Sequence, residues 1–403
     1  MHDSKGKQSL PLEGLVILDL TRLQPGPLCT MLLGDYGAEV IKIEDTGAGD
    51  QTRSVGRIFE GSGSLFRQLN RNKKSLALNL KSDQGCEVVK KLAAGADVLV
   101  ESFRPGVMDR LGLNYEALRT INRQLIYASL TGYGREGPYR DRAGHDINYL
   151  ALSGLIELNA EKGSALKVPA FQVADIAGGA MMATNGIMIA LYRRAQTGQG
   201  DYVDISITRG LLPCLALAAA GLNSGDDLAR RGKGQITGGY GCYNIYETSD
   251  GEYFSLGALE PVFWKRFCET AGKPHWIARQ FEQEGREELI HEVQALFKTK
   301  SRAQWEDLFA SVDACCEPVL SLEEAIKHPL NRDDQSWIRS LNSEGEAEII
   351  PGFPLFFSGR PGEMHRPPPR HGQHTAEILL SLGYNSHAIS NLSSTGVIKI
   401  SDK

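Results

Sequence analysis

Three side chains in this sequence are of the types that acid–base chemistry needs: His145 in GHDINY, Asp175 in VADIAGG and Glu260 in LGALEPVF. Imidazole titrates near neutral pH, so His145 is suited to take or give a proton. Asp175 begins a long apolar stretch, and a carboxylate that faces an apolar cleft has its pKa raised towards a useful range. Each residue also has a structural alternative: local hydrogen bonding for His145, an N-cap for Asp175 and a plain surface position for Glu260. The residues alone favour the structural alternative for each of them.

A second group of candidates is cationic. Basic side chains bracket the segment SLALNL and follow the segment ADVLVESF: Arg71, Lys73, Lys74 and Lys81 around the first, Arg104 and Arg110 after the second. Basic groups at neighbouring strand ends can hold a phosphate-bearing ligand. The alternative is a solvated run of surface charge, and spacing does not decide between the two. The sequence has no GxGxxG after its first strand and no GxxxxGK[ST], which disfavours a standard dinucleotide or P-loop site.

Other function classes are disfavoured by composition and spacing. The net charge of −5 offers no general excess of cations for nucleic acid. The nine histidines show no metal-ligand spacing, so no metal cofactor is expected. Seven scattered cysteines without a CxxC pair suit a reducing compartment. The N-terminus has no apolar signal region, and no run of about 18 apolar residues is evident. We therefore expect a cytoplasmic protein without a membrane partner.

The elements that must position these residues read as an α/β fold. Leu15 to Leu20 (LVILDL) is apolar and β-branched without alternation, which is typical of a buried strand of a parallel sheet. AEVIKIE, SLALNL, ADVLVESF and LIYASLTGYG repeat this pattern, with helical segments between them. The order predicts a Rossmann-like open parallel sheet, in which ligands bind at the carboxyl ends of the strands. The cationic segments and the GHDINY segment follow such ends.

The chain also divides by composition. A Gly-rich, charged stretch lies around residues 221–240, and residues 243–330 look like a compact unit. That unit opens with YNIYETSDGEYFSLG, where Asp250-Gly251 is the expected hairpin turn. We predict a large domain over 10–222, a smaller α+β domain with its linkers over 223–330, and a C-terminal segment over 331–403.

Many motifs in a fixed order carry a family resemblance over about residues 10–385. They include LPLEGLVILDLTRLQPGP, LLGDYGAEVIKIE, NRNKKSLALNLK, ESFRPGVMDRLGL, RDRAGHDINYLALSG and DACCEPVLSLEEAIKHP. On these motifs the chain resembles the family III CoA-transferase (CaiB/BaiF-type) and α-methylacyl-CoA racemase superfamily. The resemblance implies that the C-terminal segment returns to the large domain. It also implies a homodimer of interlocked chains and an acyl-CoA substrate whose CoA moiety is the only cofactor.

The resemblance further implies site residues. CoA would be held by cationic side chains, with Arg110, Lys81 and Arg104 as the best candidates and Arg71, Lys73, Asp146 and Tyr149 as further ones. In a racemase, His145, associated with Glu260, and Asp175 would exchange the α-proton of a 2-methylacyl-CoA, and backbone amides around Asp146 would stabilise the enolate. In a CoA-transferase, Asp175 would be a nucleophile that carries CoA to a free carboxylic acid.

The segment AGHDINYLALSG favours the racemase, because transferases more often have an aromatic residue at the position of His145. The transferase remains the main alternative. A CoA-binding protein without catalysis is the second one.

Overall fold

The computed structural model describes residues 9–160, 163–225, 227, 230–332, 336–341 and 347–401. Its contacts separate two compact units. Unit 1 comprises the chain up to Tyr149, Phe171–Leu211 and the chain from Leu330; unit 2 comprises Leu150–Ala170 and Leu212–Pro329. The sequence-based boundary at residue 222 therefore differs from the structural one, and residues 150–170 and 212–222 belong to unit 2. A change in composition marks residue types, whereas a domain is defined by what packs together.

The described residues form the following elements. The strands are β1 Val16–Leu20, β2 Glu39–Glu44, β3 Ile58–Phe59, β4 Ser62–Gly63, β5 Lys73–Leu78, β6 Val98–Glu101, β7 Ile126–Thr131, β8 Tyr202–Ser206, β9 Tyr243–Glu247, β10 Tyr253–Gly257, β11 Cys316–Pro318, β12 Trp337–Leu341, β13 Ala347–Pro351, β14 Phe356–Phe357, β15 Arg360–Pro361 and β16 Ile398–Lys399. The α-helices are α1 Pro25–Asp35, α2 Ser64–Leu69, α3 Asp83–Ala93, α4 Val107–Arg110, α5 Tyr115–Ile121, α6 Asp146–Ser153, α7 Leu155–Leu158, α8 Met182–Thr197, α9 Ile207–Gly210, α10 Ala216–Ser224, α11 Pro261–Thr270, α12 Arg286–Phe297, α13 Arg302–Phe309, α14 Leu322–Lys327, α15 Pro329–Arg332, α16 Thr375–Ser381 and α17 Ser386–Ser394.

Unit 1 is built on a seven-stranded sheet in the order β16-β5-β2-β1-β6-β7-β8. Every neighbouring pair is parallel except β16 with β5. The predicted α/β class with a mostly parallel sheet is confirmed. The chain winds outward from β1 in both directions, so the strand order reverses between β1 and β6. In an open sheet this reversal opens a crevice at the carboxyl ends of the two strands.

One long helical segment packs against β7, β8, α1 and α9. It starts as a π-helix at Ala174–Met181 and continues directly as α8. Glycines allow close packing here: a Cβ at Gly178 would lie 2.4 Å from the carbonyl oxygen of Ile207, and one at Gly179 would lie 2.8 Å from Pro25. The glycines that follow Asp175 in the sequence therefore serve the contact of this segment with α9 and α1.

The same segment bears on the expectation that the chain has no membrane-spanning helix. Among the described residues, Ala174–Thr197 is long and apolar enough to cross a membrane by length and composition. Because the core helix of a water-soluble protein passes the same test, this finding is weak evidence for a span. Ala183, Ile187 and Ala190 of this helix are buried within the protein.

Unit 2 holds a three-stranded antiparallel sheet in the order β11-β10-β9. Strands β9 and β10 form the predicted hairpin, with Gly251 at a φ of +82° in the turn. Such a φ favours glycine because an L side chain rarely adopts it. A core rich in aromatic side chains, including Trp264, Phe267, Phe297 and Trp305, supports this sheet.

Candidate active site

The crevice between β1 and β6 brings together two loops that are far apart in the sequence. The guanidinium of Arg22, after β1, lies 4.9 Å from the centre of the Phe103 ring, after β6. The backbone N–H of Arg22 also donates a hydrogen bond of 3.3 Å to the Ser102 hydroxyl. This contact fixes the loop Ser102–Gly106, which carries Arg104. Sequence reasoning missed Arg22 as a candidate for the ligand site, although its position directly after the first strand was a signal for such a role.

Three of the predicted CoA-binding cations are available to a ligand. Lys81, Arg104 and Arg110 are exposed. Within the described parts of the chain, no carboxylate lies within ion-pair distance of any of them. Lys81 follows β5, Arg104 follows β6, and Arg110 ends the short helix α4. Unpaired cations at the carboxyl edge of a parallel sheet are suited to phosphate.

Two other predicted cations, Arg71 and Lys73, are not at the surface. This finding corrects the prediction that they bind CoA. Arg71 is 1% exposed, and its guanidinium forms an ion pair with Asp35 at 2.7 Å. Lys73 is fully buried, and its ammonium lies 2.9 Å from Asp19. Burial raises the pKa of the Asp19 carboxyl, but the charges of Lys73 and Lys42 outweigh that effect and hold the pKa well below its usual range. Arg71 and Lys73 therefore neutralise buried acids and cannot reach a bound phosphate.

The loop before α6 presents His145 at the surface. The backbone N–H of His145 donates to the side-chain oxygen of Asn148 at 3.0 Å, and the N–H of Asn148 donates back to the His145 carbonyl at 2.8 Å. The imidazole has no hydrogen-bond partner among the residues that the structure describes. Its ring nitrogens are therefore free for a substrate or a further group.

Tyr149 holds the loop that carries His145 in place. It is 7% exposed, and its hydroxyl donates to the Gly144 carbonyl at 2.7 Å. Its ring packs edge-on against Tyr133, with the centroids 5.2 Å apart. The predicted role of Tyr149 as a CoA-binding residue is corrected, because its hydroxyl is used inside the loop. Its position instead holds Gly144, the residue before His145.

Asp175 is half-buried in the first turn of the π-helix. Its backbone N–H donates to the Asp146 carboxylate at 3.0 Å. Burial raises the pKa of the Asp175 carboxyl to about 6; the negative charge of Asp146 adds to this rise, and His145 opposes it. The three residues are therefore close enough for their charges to interact. π-Helical turns are frequent at functional sites.

The last two predicted site residues are Asp146 and Glu260. Asp146 was expected to bind CoA, but its carboxylate accepts the Asp175 N–H, so the structure gives it a part in placing Asp175. Glu260 precedes Pro261 at the start of α11 in unit 2, is exposed and makes no capping hydrogen bond. Its predicted association with His145 remains a prediction.

In the described ranges, no three His, Cys, Asp or Glu side chains form a group that could hold a metal ion.

Comparison with known proteins places this site in a family. The model of CoA-transferase family III matches residues 12–375. The chain belongs to CoA-transferase family III. A solved CaiB/BaiF family protein from Brucella suis has the same fold, with a TM-score of 0.80 and 28% sequence identity over 93% of this chain and all of that one.

The relatives of this family III member fall into two activity classes. The chain is 36% identical to the α-methylacyl-CoA racemase of Mus musculus over 97% of its own length and 98% of the racemase. It is also 36% identical to the succinyl-CoA:glutarate CoA-transferase of Mus musculus, over 96% of its own length and 90% of that protein. This family III member is therefore an enzyme of the racemase or CoA-transferase type.

Proposed function

We propose that this enzyme is a 2-methylacyl-CoA racemase. The observation that carries the proposal is the half-buried Asp175 with a pKa of about 6, close to an exposed His145 whose ring is unpartnered among the described residues. Inversion at a carbon next to a thioester needs one base to remove the α-proton and one acid to return a proton to the other face. His145, assisted by Glu260, serves one face and Asp175 serves the other.

The raised pKa of Asp175 favours this reaction over CoA transfer. At pH 7 a carboxyl group with a pKa of about 6 is protonated in about one molecule in ten, against roughly one in a thousand for an ordinary aspartate. A racemase needs that acid form, because Asp175 must donate a proton in one direction of the reaction. A nucleophilic aspartate needs only the ionised form.

The enolate oxygen also needs stabilisation, and the start of α6 supplies candidates for it. Asp146 and Ile147 are the first two residues of the helix, and their N–H groups have no acceptor in the part of the chain that the structure describes. Free N–H groups at a helix start favour a developing negative charge. Arg22, Lys81, Arg104 and Arg110 would hold the phosphates of CoA.

A CoA-transferase is the second candidate, and the transferase relatives at equal identity support it. In that reaction Asp175 attacks the thioester carbonyl, which forms an anhydride and releases CoA. The CoA thiolate then attacks the Asp175 carbonyl, so that the donor acid leaves and an aspartyl-CoA thioester forms. A free carboxylic acid attacks this thioester to form a second anhydride, and the released CoA attacks its acyl carbonyl to give the new acyl-CoA and free Asp175. His145 then has no chemical part. The exposed imidazole of His145 and the raised pKa of Asp175 favour the racemase.

The test is to incubate the enzyme in D₂O with one enantiomer of a 2-methylacyl-CoA and no added carboxylic acid, following the α-hydrogen by NMR. We expect deuterium at that carbon and loss of enantiomeric purity. Both should disappear in His145→Ala and in Asp175→Ala. His387→Ala and Asp141→Ala, which change exposed residues outside the site, are matched controls. CoA transfer to a panel of free acids without any deuterium exchange would instead establish the transferase.

We further propose that the enzyme is a homodimer. The support is the apolar surface of α8, where Met188, Ile189 and Tyr192 are 40%, 69% and 70% exposed in the single chain. A second copy that covers this surface would remove it from water. Light scattering at micromolar concentration tests the proposal, and a monomeric mass would refute it.

A further inference from the structure

Glu101 is a buried acid beside the proposed CoA site that the racemase reaction does not use. It is the last residue of β6 and is 5% exposed. It lines a small cavity of about 20 Å³, room for one water molecule, together with Arg104, Asp109, Asn114, Tyr127, Ser129 and Arg135. A buried carboxyl group next to a loop that is proposed to bind phosphates is an unusual combination, because the negative charges of the carboxylate and the phosphates repel each other.

The carboxyl group of Glu101 holds that loop. One of its oxygens accepts the backbone N–H of Phe103 at 2.8 Å, and the Ser129 hydroxyl forms a second hydrogen bond to the carboxyl group. The first contact closes the turn that leads to Arg104. Glu101 therefore acts on the ligand through the position of Arg104, and it is a positioning residue rather than a catalytic one.

Glu101 forms no ion pair with any residue that the structure describes. Arg135 is the cation whose charge favours the ionised form, and Asp109 is the acid that disfavours it. Arg135 and Asp109 lie 3.7 Å apart, so each offsets the other. Tyr127, on β7, is a further buried titratable side chain that lines the same cavity. Burial raises the pKa of the Glu101 carboxyl to about 7, against the lowering effect of its hydrogen bonds to Ser129 and Phe103.

We propose that Glu101 takes up a proton from solvent when the phosphates of CoA bind next to it at Arg104. The proposal rests on the CoA site described under the proposed function. The phosphates bring negative charge close to the carboxylate and favour its neutral form. The neutral group still accepts the Phe103 N–H through its carbonyl oxygen, and its new O–H can donate to the Ser129 hydroxyl. The loop therefore keeps its position while the repulsion disappears.

The direction of the effect follows from linkage. Below the pKa of the free protein, Glu101 is neutral with or without CoA, and it contributes no pH dependence. As the pH rises through that pKa, binding must first protonate Glu101, so the affinity for CoA falls. We expect the affinity of the wild-type protein to fall about threefold to tenfold between pH 6.5 and pH 8.5.

The experiment is calorimetric titration of CoA into the full-length protein at pH 7.5, in buffers of different ionisation enthalpy. The slope of the binding enthalpy against buffer enthalpy gives the protons taken up. We expect uptake by the wild-type protein and none attributable to Glu101 in Glu101→Gln, which mimics the neutral acid. The affinity of Glu101→Gln should vary less than about twofold over the same pH range. Glu116→Gln, at an exposed acid on α5, is the matched control and should behave as the wild type.

Two further arms make the outcome decisive. The 3′-phosphate of CoA itself titrates near pH 6, so dephospho-CoA is the second probe and should show the same difference between wild type and Glu101→Gln. Ser129→Ala removes a hydrogen bond that lowers the pKa of Glu101, so it should move the midpoint of the pH dependence to higher pH. This variant tests the proposal independently if Glu101→Gln does not fold.

The possible failures are distinguishable. If CoA does not bind the wild-type protein at any pH, the proposed function is wrong. If CoA binds and Arg104→Gln weakens it, but Glu101→Gln or Ser129→Ala leaves the proton uptake unchanged, the inference about Glu101 is wrong and the CoA site stands.

Discussion

The backbone N–H of Asp175 donates a hydrogen bond of 3.0 Å to the carboxylate of Asp146, which is 29 positions earlier in the chain. This contact joins the start of the π-helix to the start of α6. It also places a negative charge beside the Asp175 carboxyl group, and together with burial that charge raises its pKa to about 6. One residue therefore both positions Asp175, the proposed catalytic aspartate, and raises its proton affinity.

Asp146→Asn separates these two effects. The amide oxygen of asparagine still accepts the Asp175 N–H, but the negative charge is gone, so the pKa of Asp175 should fall. Below pH 6 the wild-type enzyme should lose activity, because Asp175 becomes protonated and can no longer act as the base. We expect this acid limb of the pH profile of kcat/KM to move to lower pH in Asp146→Asn. At pH 7 the rate should fall several-fold because less of the acid form is present.

The check is racemisation measured from pH 5 to pH 9 for wild type, Asp146→Asn and Asp141→Asn. Asp141 is an exposed acid on the same loop and serves as the control. An acid limb at the same pH in all three proteins would show that Asp146 does not control Asp175.

Tyr149→Phe removes the hydroxyl that holds the Gly144 carbonyl. Loss of one such hydrogen bond should cost about 1 kcal/mol of unfolding free energy. Because Gly144 precedes His145, we expect kcat to fall by more than a small stability loss explains, about three- to tenfold. Tyr133→Phe is the control, since the Tyr133 hydroxyl makes no hydrogen bond within the described residues. Equal kcat in the two variants, measured well below their melting temperatures, would contradict the positioning role.

Arg104→Gln and Arg110→Gln should each raise KM for the acyl-CoA about tenfold and change kcat much less. Their cations would contact the remote phosphates, which are bound equally in the ground state and the transition state. The KM of the wild type should also rise with ionic strength, because exposed charges are screened. Arg119→Gln, an exposed arginine on α5, is the matched control. Unchanged KM in both test variants would remove these arginines from the CoA site.

Arg71→Met should act on folding and not on CoA binding. Removing Arg71 leaves the buried Asp35 carboxylate without its cation, which costs about 3–5 kcal/mol of unfolding free energy. Lys74→Met is the comparison, because Lys74 pairs at the surface with Glu39 and Glu377, and such pairs contribute at most about 1 kcal/mol. Urea denaturation of the two variants measures the difference. Equal unfolding free energies would show that the Arg71–Asp35 pair is not needed for stability.

The strands of unit 1 could be predicted from the sequence because the residue pattern that indicates each strand lies within a few consecutive residues. A strand that is covered on both faces is mostly apolar and rich in β-branched residues, and Val16–Leu20, Val98–Glu101 and Ile126–Thr131 carry this pattern in the order of the chain. The β9–β10 hairpin was predictable for a similar reason, since its Asp250-Gly251 turn is a two-residue signal. The fold class follows from these short-range patterns.

Residue type also indicated His145 and Asp175 as candidates for acid–base chemistry, and their catalytic role remains a prediction. Residue type did not separate a cation that meets solvent from one that meets a buried acid. Lys81 and Lys73 look alike in the sequence, but Lys73 faces Asp19 across the sheet interior and Lys81 lies outside it. The difference depends on long-range contacts, which spacing along the chain does not encode.

The sequence by itself determined the elements and the chemical types available for the site. Only the tertiary structure decided which of them meet: Arg22 with Phe103, Asp146 with Asp175, and Glu101 with the loop that carries Arg104. The physical reason is that burial and neighbouring charge set the proton affinity of a carboxyl group. Both are properties of the folded chain, so Asp175 and Glu101 acquire theirs only when distant segments pack together.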